Sequence, residues 1–321
     1  MSSLKAFLRD NIQGYSLDEI VERYTEWEED TIYMILTRLK NCAEDSLKGC
    51  NFKNEVFAVK CAKRGNDIYR SRVQARFRNL SSSAENLCFF DPNTRGGKET
   101  RALWITLTYD TKLCSFHEAW CNVGNEFNRF MSYVRKQFGK VSCCRVFESF
   151  ENGYPHIHCI LLFERSFSAF EDSKGQFRIG EKDIFSRGWH SNVDVKAMSS
   201  LAGGFAYLKK YLLKSIDFER ADSKGLKTLA LCWAYRKRAF SVSGSFRKTL
   251  SDLITSMHNS NKKTAQVSLS GQVLPEEKFS VLGFVPIEVI GLEKNVWFRT
   301  LDSAQTDSVE QYLSETSWNT W

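Results

Sequence analysis

Residues 142–163 read SCCRVFESFENGYPHIHCILLF, and the predicted architecture grows out of this segment. Two runs rich in β-branched and aromatic residues flank the turn-forming ENGY, a pattern typical of a β-hairpin. His156 and His158 alternate with apolar residues on the second strand, so both imidazoles project from one face of a sheet. With the turn centred near Asn152, Glu148 lies opposite His156 on that face. A register slip of one residue would move Glu148 to the other face.

These three side chains predict a site for a divalent cation. Two imidazoles and one carboxylate leave positions open for water and for a phosphate oxygen, which suits Mg²⁺ or Mn²⁺. The alternative is that His156 and His158 are simply polar residues on the outer face of a strand. The matching position of Glu148 across the predicted hairpin favours the metal site.

A helix predicted further along the chain carries two tyrosines. Residues 200–216 (SLAGGFAYLKKYLLKSI) place apolar side chains at intervals of four, three and four, which predicts a core-facing stripe. A second stripe, roughly 100° round the helix, repeats a tyrosine followed three residues later by a lysine. Its members are Tyr207, Lys210, Tyr211 and Lys214. A phenol there could attack phosphorus while a nearby ammonium stabilises negative charge. Half-buried tyrosines beside lysines that reach out to solvent are the alternative.

The remaining central segments predict an α+β fold, with a central antiparallel sheet that bears the histidine strand and is flanked by helices. Residues 102–109 (ALWITLTY) and 191–198 (SNVDVKAM) are typical of strands. Residues 117–139 carry the apolar and aromatic stripe of an amphipathic helix. We therefore expect one central domain over residues 100–240.

The two ends of the chain predict smaller extensions. Ser16 and Glu19 have the spacing of a capping box, and residues 31–48 predict a second helix, so residues 1–50 form a helical N-terminal region. A small bundle is one interpretation of this helix pair, and a helix-turn-helix DNA reader is the other. A strand at residues 54–62 opens a basic segment and connection over residues 51–99. Strands at residues 278–291 and 296–301 predict a small β-containing C-terminal extension over residues 241–321, with a flexible acidic tail.

The net charge is +7, and bases outnumber acids in two clusters, which suggests a polyanionic partner. Arginines and aromatic residues interleave in a first basic segment, residues 63–78, and in a second basic segment, residues 233–238, so the aromatic rings could stack on unpaired bases. The predicted DNA contacts are Lys63, Arg64, Arg70, Arg72, Arg76, Arg236, Lys237 and Arg238. The alternative is a solvated basic face with buried rings.

Cysteine spacing and apolar runs exclude several classes of protein. The ten cysteines include no Cys-x-x-Cys, so reduced structural thiols are expected; a weaker zinc site from Cys42, Cys50 and Cys61 is the alternative. No run approaches the roughly 18 apolar residues that span a bilayer, and the N-terminus has charges where a signal peptide is apolar. We expect a cytoplasmic protein with no membrane partner. No Gly-x-x-x-x-Gly-Lys-Ser/Thr loop is present, which argues against a fused helicase.

Three motifs, in order along the chain, resemble those of the HUH endonucleases, in particular the two-tyrosine replication initiators of rolling-circle plasmids and viruses. Residues 104–110 (WITLTYD) resemble the first motif, an apolar-Thr-Leu-Thr strand. His156-Ile157-His158 is similar to the His-hydrophobic-His motif, and Glu148 stands where many initiators place an acidic ligand. Tyr207-x-x-Lys210-Tyr211-x-x-Lys214 is similar to the two-tyrosine third motif. The resemblance covers roughly residues 101–215.

The resemblance implies Mg²⁺- or Mn²⁺-dependent nicking and joining of single-stranded DNA at a replication origin. A tyrosine becomes linked to the 5′ phosphate, a free 3′ hydroxyl primes synthesis, and the second tyrosine permits another cleavage. It implies Tyr207 and Tyr211 as nucleophiles, with Lys210 and Lys214 as phosphate or leaving-group partners. Glu148, His156 and His158 would be metal ligands. A helicase and a polymerase of the host or the element would act in trans.

Other functions are compatible with parts of this pattern. An HUH-type transposase uses the same two-tyrosine chemistry. A conjugative relaxase is disfavoured, because its tyrosine usually precedes the histidines and here it follows them. From a different class, a non-catalytic origin- or RNA-binding protein would use the histidine strand and the tyrosine helix only as structure.

Overall fold

The computed structural model describes residues 12–38, 55–85, 87–238, 240–258 and 279–316. These residues form two compact units. The first takes the described part of Met1–Thr25 and Arg64–Lys263, and the second takes the described part of Glu26–Lys63 and Thr264–Trp321. In the described part of the chain, no helix combines the length and the apolar character needed to cross a bilayer.

The described residues form antiparallel sheets flanked by helices, which confirms the predicted α+β class. The strands are β1 (Ile32–Arg38), β2 (Val56–Lys60), β3 (Lys98–Thr108), β4 (Val141–Ser149), β5 (Pro155–Glu171), β6 (Phe177–Ile179), β7 (Val193–Ala197), β8 (Phe240–Val242), β9 (Phe279–Pro286) and β10 (Phe298–Thr300). The helices are α1 (Leu17–Glu29), α2 (Asp67–Ser83), α3 (Phe116–Phe138), α4 (Lys182–Arg187), α5 (Leu201–Lys214), α6 (Ser223–Ala234), α7 (Phe246–His258), α8 (Ile287–Ile290) and α9 (Ser303–Glu315).

The first unit is built on a six-stranded antiparallel sheet. Its strand order is β7-β3-β5-β4-β8, and β6 pairs with the far end of β5. The central hairpin closes where the sequence predicts a turn: Phe150 N–H donates to Tyr154 O at 2.9 Å, and Gly153 takes a φ of 86°, which favours glycine. In the resulting register Glu148 lies opposite His156, as predicted.

Helices cover both faces of this sheet. Because side chains alternate along a strand, His156 and His158 share a face with Ile160 and Leu162, which pack into a buried cluster. The helices over this face are α2, α5 and α7, which contribute Phe77, Leu80, Phe205, Leu208, Phe246 and Leu250. On the opposite face α3 packs its buried side, with Trp120 against Phe147 and Phe138 against Phe163. Strand β8 and helix α7 of this unit continue past residue 240, where we expected the central domain to end.

The N-terminal region differs from the prediction. The capping box is confirmed, since Ser16 N–H donates to Glu19 Oε2 at 2.7 Å and Glu19 N–H donates to Ser16 Oγ at 3.3 Å. The predicted second helix is wrong where it is described, because β1 occupies Ile32–Arg38. Tyr33 and Ile35 are both 0% exposed, so burial follows the two-residue period of a strand. Residues 39–54 lie outside the described part of the chain, and no helix pair for a DNA reader is present in residues 12–38.

The second unit is a four-stranded sheet with the order β10-β2-β1-β9. It confirms the strands predicted near residues 54–62 and 296–301. The strand predicted over residues 278–291 is confirmed for Phe279–Pro286 only, because Ile287–Ile290 form α8. The expectation of a flexible acidic tail is wrong for Ser303–Glu315, which forms α9. Asp302 caps this helix in a capping box with Gln305, and Val309 is buried in the core of the unit. Residues 317–321 lie outside the described part.

The cysteines that the structure describes are free thiols. Cys143, Cys144, Cys159 and Cys232 are buried, and burial raises the pKa of the Cys144 and Cys159 thiols well above its ordinary value. These residues fit the prediction of reduced structural cysteines. Of the alternative zinc ligands, Cys61 is a half-buried free thiol, and Cys42 and Cys50 lie outside the described residues.

Candidate functional site

The paired strands β4 and β5 bring one carboxylate and two imidazoles together. Glu148 Oε2 lies 3.0 Å from His158 Nε2 and 3.8 Å from His156 Nδ1. One possible ligand atom from each of the three residues falls within 4.8 Å of the others. A carboxylate oxygen and two imidazole nitrogens at this spacing are a donor set for a divalent cation.

Both imidazoles are held in the neutral form that binds metals. Burial, and then the neighbouring charge of His158, lowers the pKa of His156 to about 3. Burial also lowers the pKa of His158, although its hydrogen bond to Glu148 opposes the shift. His156 Nδ1 is buried and has no hydrogen-bond partner among the described residues. A buried nitrogen with a free lone pair fits a metal ligand better than a structural histidine.

Lys224 is a member of the site that sequence reasoning missed. It lies in the first turn of α6, and its Nζ contacts Glu148 Oε1 at 3.1 Å. Burial raises the pKa of Glu148, but the hydrogen bonds and charges of His158 and Lys224 outweigh burial and lower it. These partners keep Glu148 ionised although it is only 5% exposed, with Oε2 turned to the histidines and Oε1 to Lys224.

The apolar-Thr-Leu-Thr strand lies directly beside the histidine strand. In the β3–β5 register Thr106 is opposite His158, and Thr108 is opposite His156. The hydroxyl of Thr106 is 3.4 Å from His158 Nδ1, and that of Thr108 is 3.4 Å from His156 Nε2. Each threonine therefore approaches the ring nitrogen that faces away from Glu148. Such outer partners orient an imidazole and set which nitrogen carries the proton.

Helix α5 packs over the face of the sheet that carries the histidines. Ser200 caps it by accepting a hydrogen bond from Gly203 N–H at 3.2 Å. The predicted core-facing residues are all buried: Leu201, Phe205, Leu208 and Leu212. The predicted tyrosine stripe is displaced from this buried face. Tyr207 is 44% exposed, and Tyr211 is half-buried.

The two tyrosines stand over the carboxylate–imidazole cluster. The Tyr211 ring stacks on His158 with 3.7 Å between centroids and 25° between planes. Tyr211 donates its hydroxyl hydrogen bond to the Tyr207 hydroxyl at 2.8 Å, and the Tyr207 ring meets Trp104 edge-on at 4.7 Å. Burial, and then the hydrogen bond to Tyr207, raises the pKa of Tyr211. The two phenols therefore differ: one is shielded against the imidazole and the other opens to solvent.

The two lysines of the stripe have different surroundings. Lys210 is exposed on α5. Lys214 forms an ion pair with Asp222 at 2.9 Å, and this hydrogen bond raises the pKa of Lys214. Asp222 also caps α6, accepting from Gly225 N–H at 2.8 Å. Lys214 therefore ties the tyrosine helix to the start of the helix that carries Lys224.

Residues 102–216 match the model of a family described as replication-associated protein, of the ORF2 type. This region of the chain is therefore similar to replication-associated proteins. The match begins in β3 and ends just after α5, so it contains the threonine strand, Glu148, both histidines and both tyrosines. Lys224 and the whole second unit lie outside it. Comparisons with curated proteins and with solved structures gave no significant match.

The predicted DNA contacts in the first basic segment divide into buried and exposed residues. Lys63 is 6% exposed, and its ammonium donates to the carbonyls of Trp27 and Asp30, so it does not fit a phosphate contact. Arg64 donates to the carbonyl of Lys237, and Arg70 pairs with Asp217 at 2.9 Å. Arg72 and Arg76 are exposed on α2. Of the predicted contacts in this segment, these two arginines are the ones whose side chains are open to a polyanion.

The second basic segment divides in the same way. Trp233 is buried against Tyr24, and Tyr235 stacks on Trp120, so these rings do not fit the expected role of stacking on bases. Lys237 donates to Cys121 O at 3.1 Å. The exposed members are Arg236 and Arg238. Among the residues that the structure describes, neither basic segment forms a hydrogen bond or ion pair with Glu148, His156 or His158.

Proposed function

We propose that this chain nicks single-stranded DNA at a replication origin through a 5′-phosphotyrosine linkage, later rejoins it, and so initiates rolling-circle replication of a plasmid or virus. One observation carries the proposal: two tyrosine hydroxyls joined by a hydrogen bond stand over a carboxylate and two imidazoles. The similarity of residues 102–216 to replication-associated proteins supports the same role.

Tyr207 and Tyr211 are the proposed nucleophiles. In each transfer the phenolic oxygen forms a bond to phosphorus, and the bond from phosphorus to the 3′ oxygen breaks. The phenolic proton passes to solvent and the 3′ oxygen takes one up, so the cut strand ends in a 3′ hydroxyl. One phosphodiester is exchanged for another, and the reverse reaction therefore rejoins the strand without an energy source. A helicase and a polymerase acting in trans belong to the same proposal.

Glu148, His156 and His158 are the proposed ligands of Mg²⁺ or Mn²⁺. Their fit rests on the unpartnered, buried Nδ1 of His156 and on the ionised state of Glu148. A bound divalent cation would polarise the scissile phosphate. Lys210, exposed on the tyrosine stripe, is the proposed phosphate contact, whereas Lys214 is engaged by Asp222 and positions the helix.

The test uses the purified full chain, Mn²⁺, and labelled single-stranded oligonucleotides that tile both strands of the DNA flanking its gene. One 3′-labelled oligonucleotide should give a conjugate that survives SDS, because the tyrosine keeps the 3′ fragment. Its 5′-labelled version should give a shorter product that a polymerase extends. The Tyr207→Phe/Tyr211→Phe double variant should lose the conjugate, and Tyr133→Phe, a half-buried tyrosine of α3, should keep it.

Two results would contradict the proposal at different points. Metal-independent binding with no conjugate on any tiled strand would identify a binding protein without this chemistry. Nicking that survives both EDTA and His158→Ala would contradict the assignment of the metal ligands, while the assignment of the tyrosines would stand. If either single tyrosine variant abolished all cleavage, alternation between the two tyrosines would be wrong while nicking stood.

A further inference from the structure

A cleft of about 210 Å³ opens beside Tyr207, at the junction of β7 and α5. Its walls include Trp104 of β3, Lys196 and Met198 at the end of β7, and Gly203, Gly204 and Tyr207 of α5. Tyr207 is therefore shared between this cleft and the tyrosine pair, whereas none of the three proposed metal ligands lines the cleft.

The walls of this cleft are fixed by hydrogen bonds. Thr100 donates its hydroxyl to Met198 O at 2.7 Å, and Phe89 N–H donates to Ser199 O at 2.7 Å. Helix α5 lies close to the end of β7 at Gly204, since a Cβ there would lie 1.8 Å from Met198 Cε. The cleft is therefore a preformed surface rather than a gap between mobile side chains.

Charge along one edge of the cleft suits a phosphate. Lys196 Nζ lies 3.8 Å from Asp194 Oδ2, a long contact, while Asp194 Oδ1 already receives a hydrogen bond from Arg178. The Lys196 ammonium is thus only weakly neutralised, and its side chain remains 34% exposed. The apolar floor of Trp104 and Met198 beside one cation matches a nucleotide, which has a flat ring and an anionic backbone.

We propose that this cleft holds the base of the nucleotide adjacent to the scissile phosphate. The inference rests on the proposed function, since a phosphorus attacked by Tyr207 must sit at its hydroxyl and the next nucleotide must then run past the neighbouring wall. A volume below the roughly 300–1,000 Å³ of sites for larger ligands limits the occupant to a single ring system. The cleft therefore makes the enzyme sensitive to the size of one base.

Gly203 is the position at which this inference is tested. A Cβ at Gly203 would lie 3.1 Å from Ser200 Oγ, a tight contact that a shift of the serine side chain must relieve, and no other described side chain lies within 4 Å of it. Gly203 also lies in a helix, where leucine is favoured over glycine by close to ~1 kcal/mol. The matched control is Ala206→Leu, which adds leucine at an exposed position of the same helix outside the cleft.

The experiment compares Gly203→Leu and Ala206→Leu on the oligonucleotide that the wild type nicks. Gly203→Leu should form the conjugate at least about fivefold more slowly, the low end of what one base contact contributes. A series with a single abasic nucleotide at each position around the nick should contain one substrate, at the flanking position, that restores most of the rate. Without metal, Gly203→Leu should also bind a fluorescein-labelled mixed-sequence single strand more weakly than Ala206→Leu.

The outcomes separate this inference from the proposed function. If the wild type forms the conjugate and the two leucine variants match on intact and abasic DNA, the cleft assignment is overturned while nicking stands. If the wild type forms no conjugate, the proposed function fails, and equal single-strand affinities of the two variants then overturn the cleft as well. Should Gly203→Leu lose its thermal transition, Gly203→Ala replaces it, and rescue by the same abasic position decides.

Discussion

Glu148 shows how single residues are shared within the site. One of its carboxylate oxygens faces the two histidines, and the other contacts Lys224. A buried carboxylate with a hydrogen-bonded imidazole on one side and an ammonium on the other holds its orientation before any cation arrives. Lys224 thus leaves Oε2 turned toward the histidines, although Lys224 itself lies outside the region similar to replication-associated proteins.

Replacing Lys224 by methionine should lower the free energy of unfolding by about 1 kcal/mol, because buried Glu148 loses a charged partner that is itself partly exposed. The measurement is urea denaturation in EDTA at pH 7. Lys227→Met is the matched control on the same helix, since Lys227 pairs with the exposed Glu151 at 2.9 Å and should lose under about 0.5 kcal/mol. Equal losses in the two variants would mean that the contact between Lys224 and Glu148 stabilises the protein no more than an exposed ion pair does.

The same pair predicts a pH dependence with a definite sign. The pKa of Glu148 lies below its ordinary value of 4.5, so its ionised form contributes stability that is complete above that value. This contribution disappears as the pH falls through the lowered pKa. The stability difference between wild type and Lys224→Met should therefore be full at pH 7 and shrink in strong acid. A difference that grew on acidification would contradict the ion pair.

Spacing along the chain was enough to predict that Glu148 meets the two histidines, but it did not predict Lys224. The period of a strand and the turn at ENGY placed Glu148 across from His156, because the hairpin is local in sequence. Lys224 could not be found in this way, since its position depends on where α6 begins and how that helix meets the end of β4. The Ser149 N–H donates to Thr228 Oγ1 at 2.8 Å and fixes that meeting.

At the scale of elements, α5 approaches the sheet closely enough that two adjacent glycines behave differently. Gly204→Ala should be about 1 kcal/mol less stable than Gly203→Ala, because the flexible end of the Met198 side chain must move away from a Cβ that would lie 1.8 Å from its Cε. Gly203→Ala should stay within about 1 kcal/mol of wild type, since alanine favours the helix but its Cβ would lie only 3.1 Å from Ser200 Oγ. Thermal melting of both variants checks this, and similar melting temperatures would rule out the close approach.

The start of α6 depends on Asp222, which caps the helix and also pairs with Lys214 of α5. Asp222→Ala should therefore lose about 1 kcal/mol of stability from the cap. Asp222→Asn keeps an oxygen for the Gly225 N–H but loses the ion pair, so it should fall between wild type and alanine. Urea denaturation separates the three proteins. Loss as large in asparagine as in alanine would assign the effect to charge and not to capping.

Elements that close locally were predicted well, and those fixed by distant partners were not. Residues 31–48 read as a helix, yet TIYMILT at residues 31–37 pairs with β2 on one side and with β9 on the other. Tyr33 lies opposite Val285, and no pattern of neighbouring residues predicts a partner so distant in the sequence. The acidic stretch after residue 302 likewise became a helix, because Asp302 and Gln305 form a capping box and Val309 finds a core.

At the scale of the whole molecule, clustered charge in the sequence is only partly charge on the surface. Lys63 and Arg70 belong to the first basic segment, but Lys63 donates to backbone carbonyls and Arg70 pairs with a carboxylate. Of the two rings predicted to stack on DNA bases, Trp233 is buried in the first unit, and Tyr235 is half-buried with its ring stacked on Trp120. A run of lysines and arginines therefore predicts a polyanion contact only through those members whose side chains are not already engaged within the fold.

Among the predicted contacts, Arg72 and Arg76 are one helical turn apart on α2 and exposed, so both can meet phosphates at once. The Arg72→Ala/Arg76→Ala double variant should weaken binding to a mixed-sequence single strand. Plotted as log affinity against log salt, its slope should be shallower by about 1.4, since each phosphate contact on single strands contributes about 0.7. The matched control is Lys174→Ala/Lys182→Ala, which removes two exposed bases from other parts of the same unit. Fluorescence anisotropy from low to moderate salt measures all three slopes. If both double variants changed the slope equally, binding would follow the net charge of the molecule, and α2 would have no special place on the DNA path.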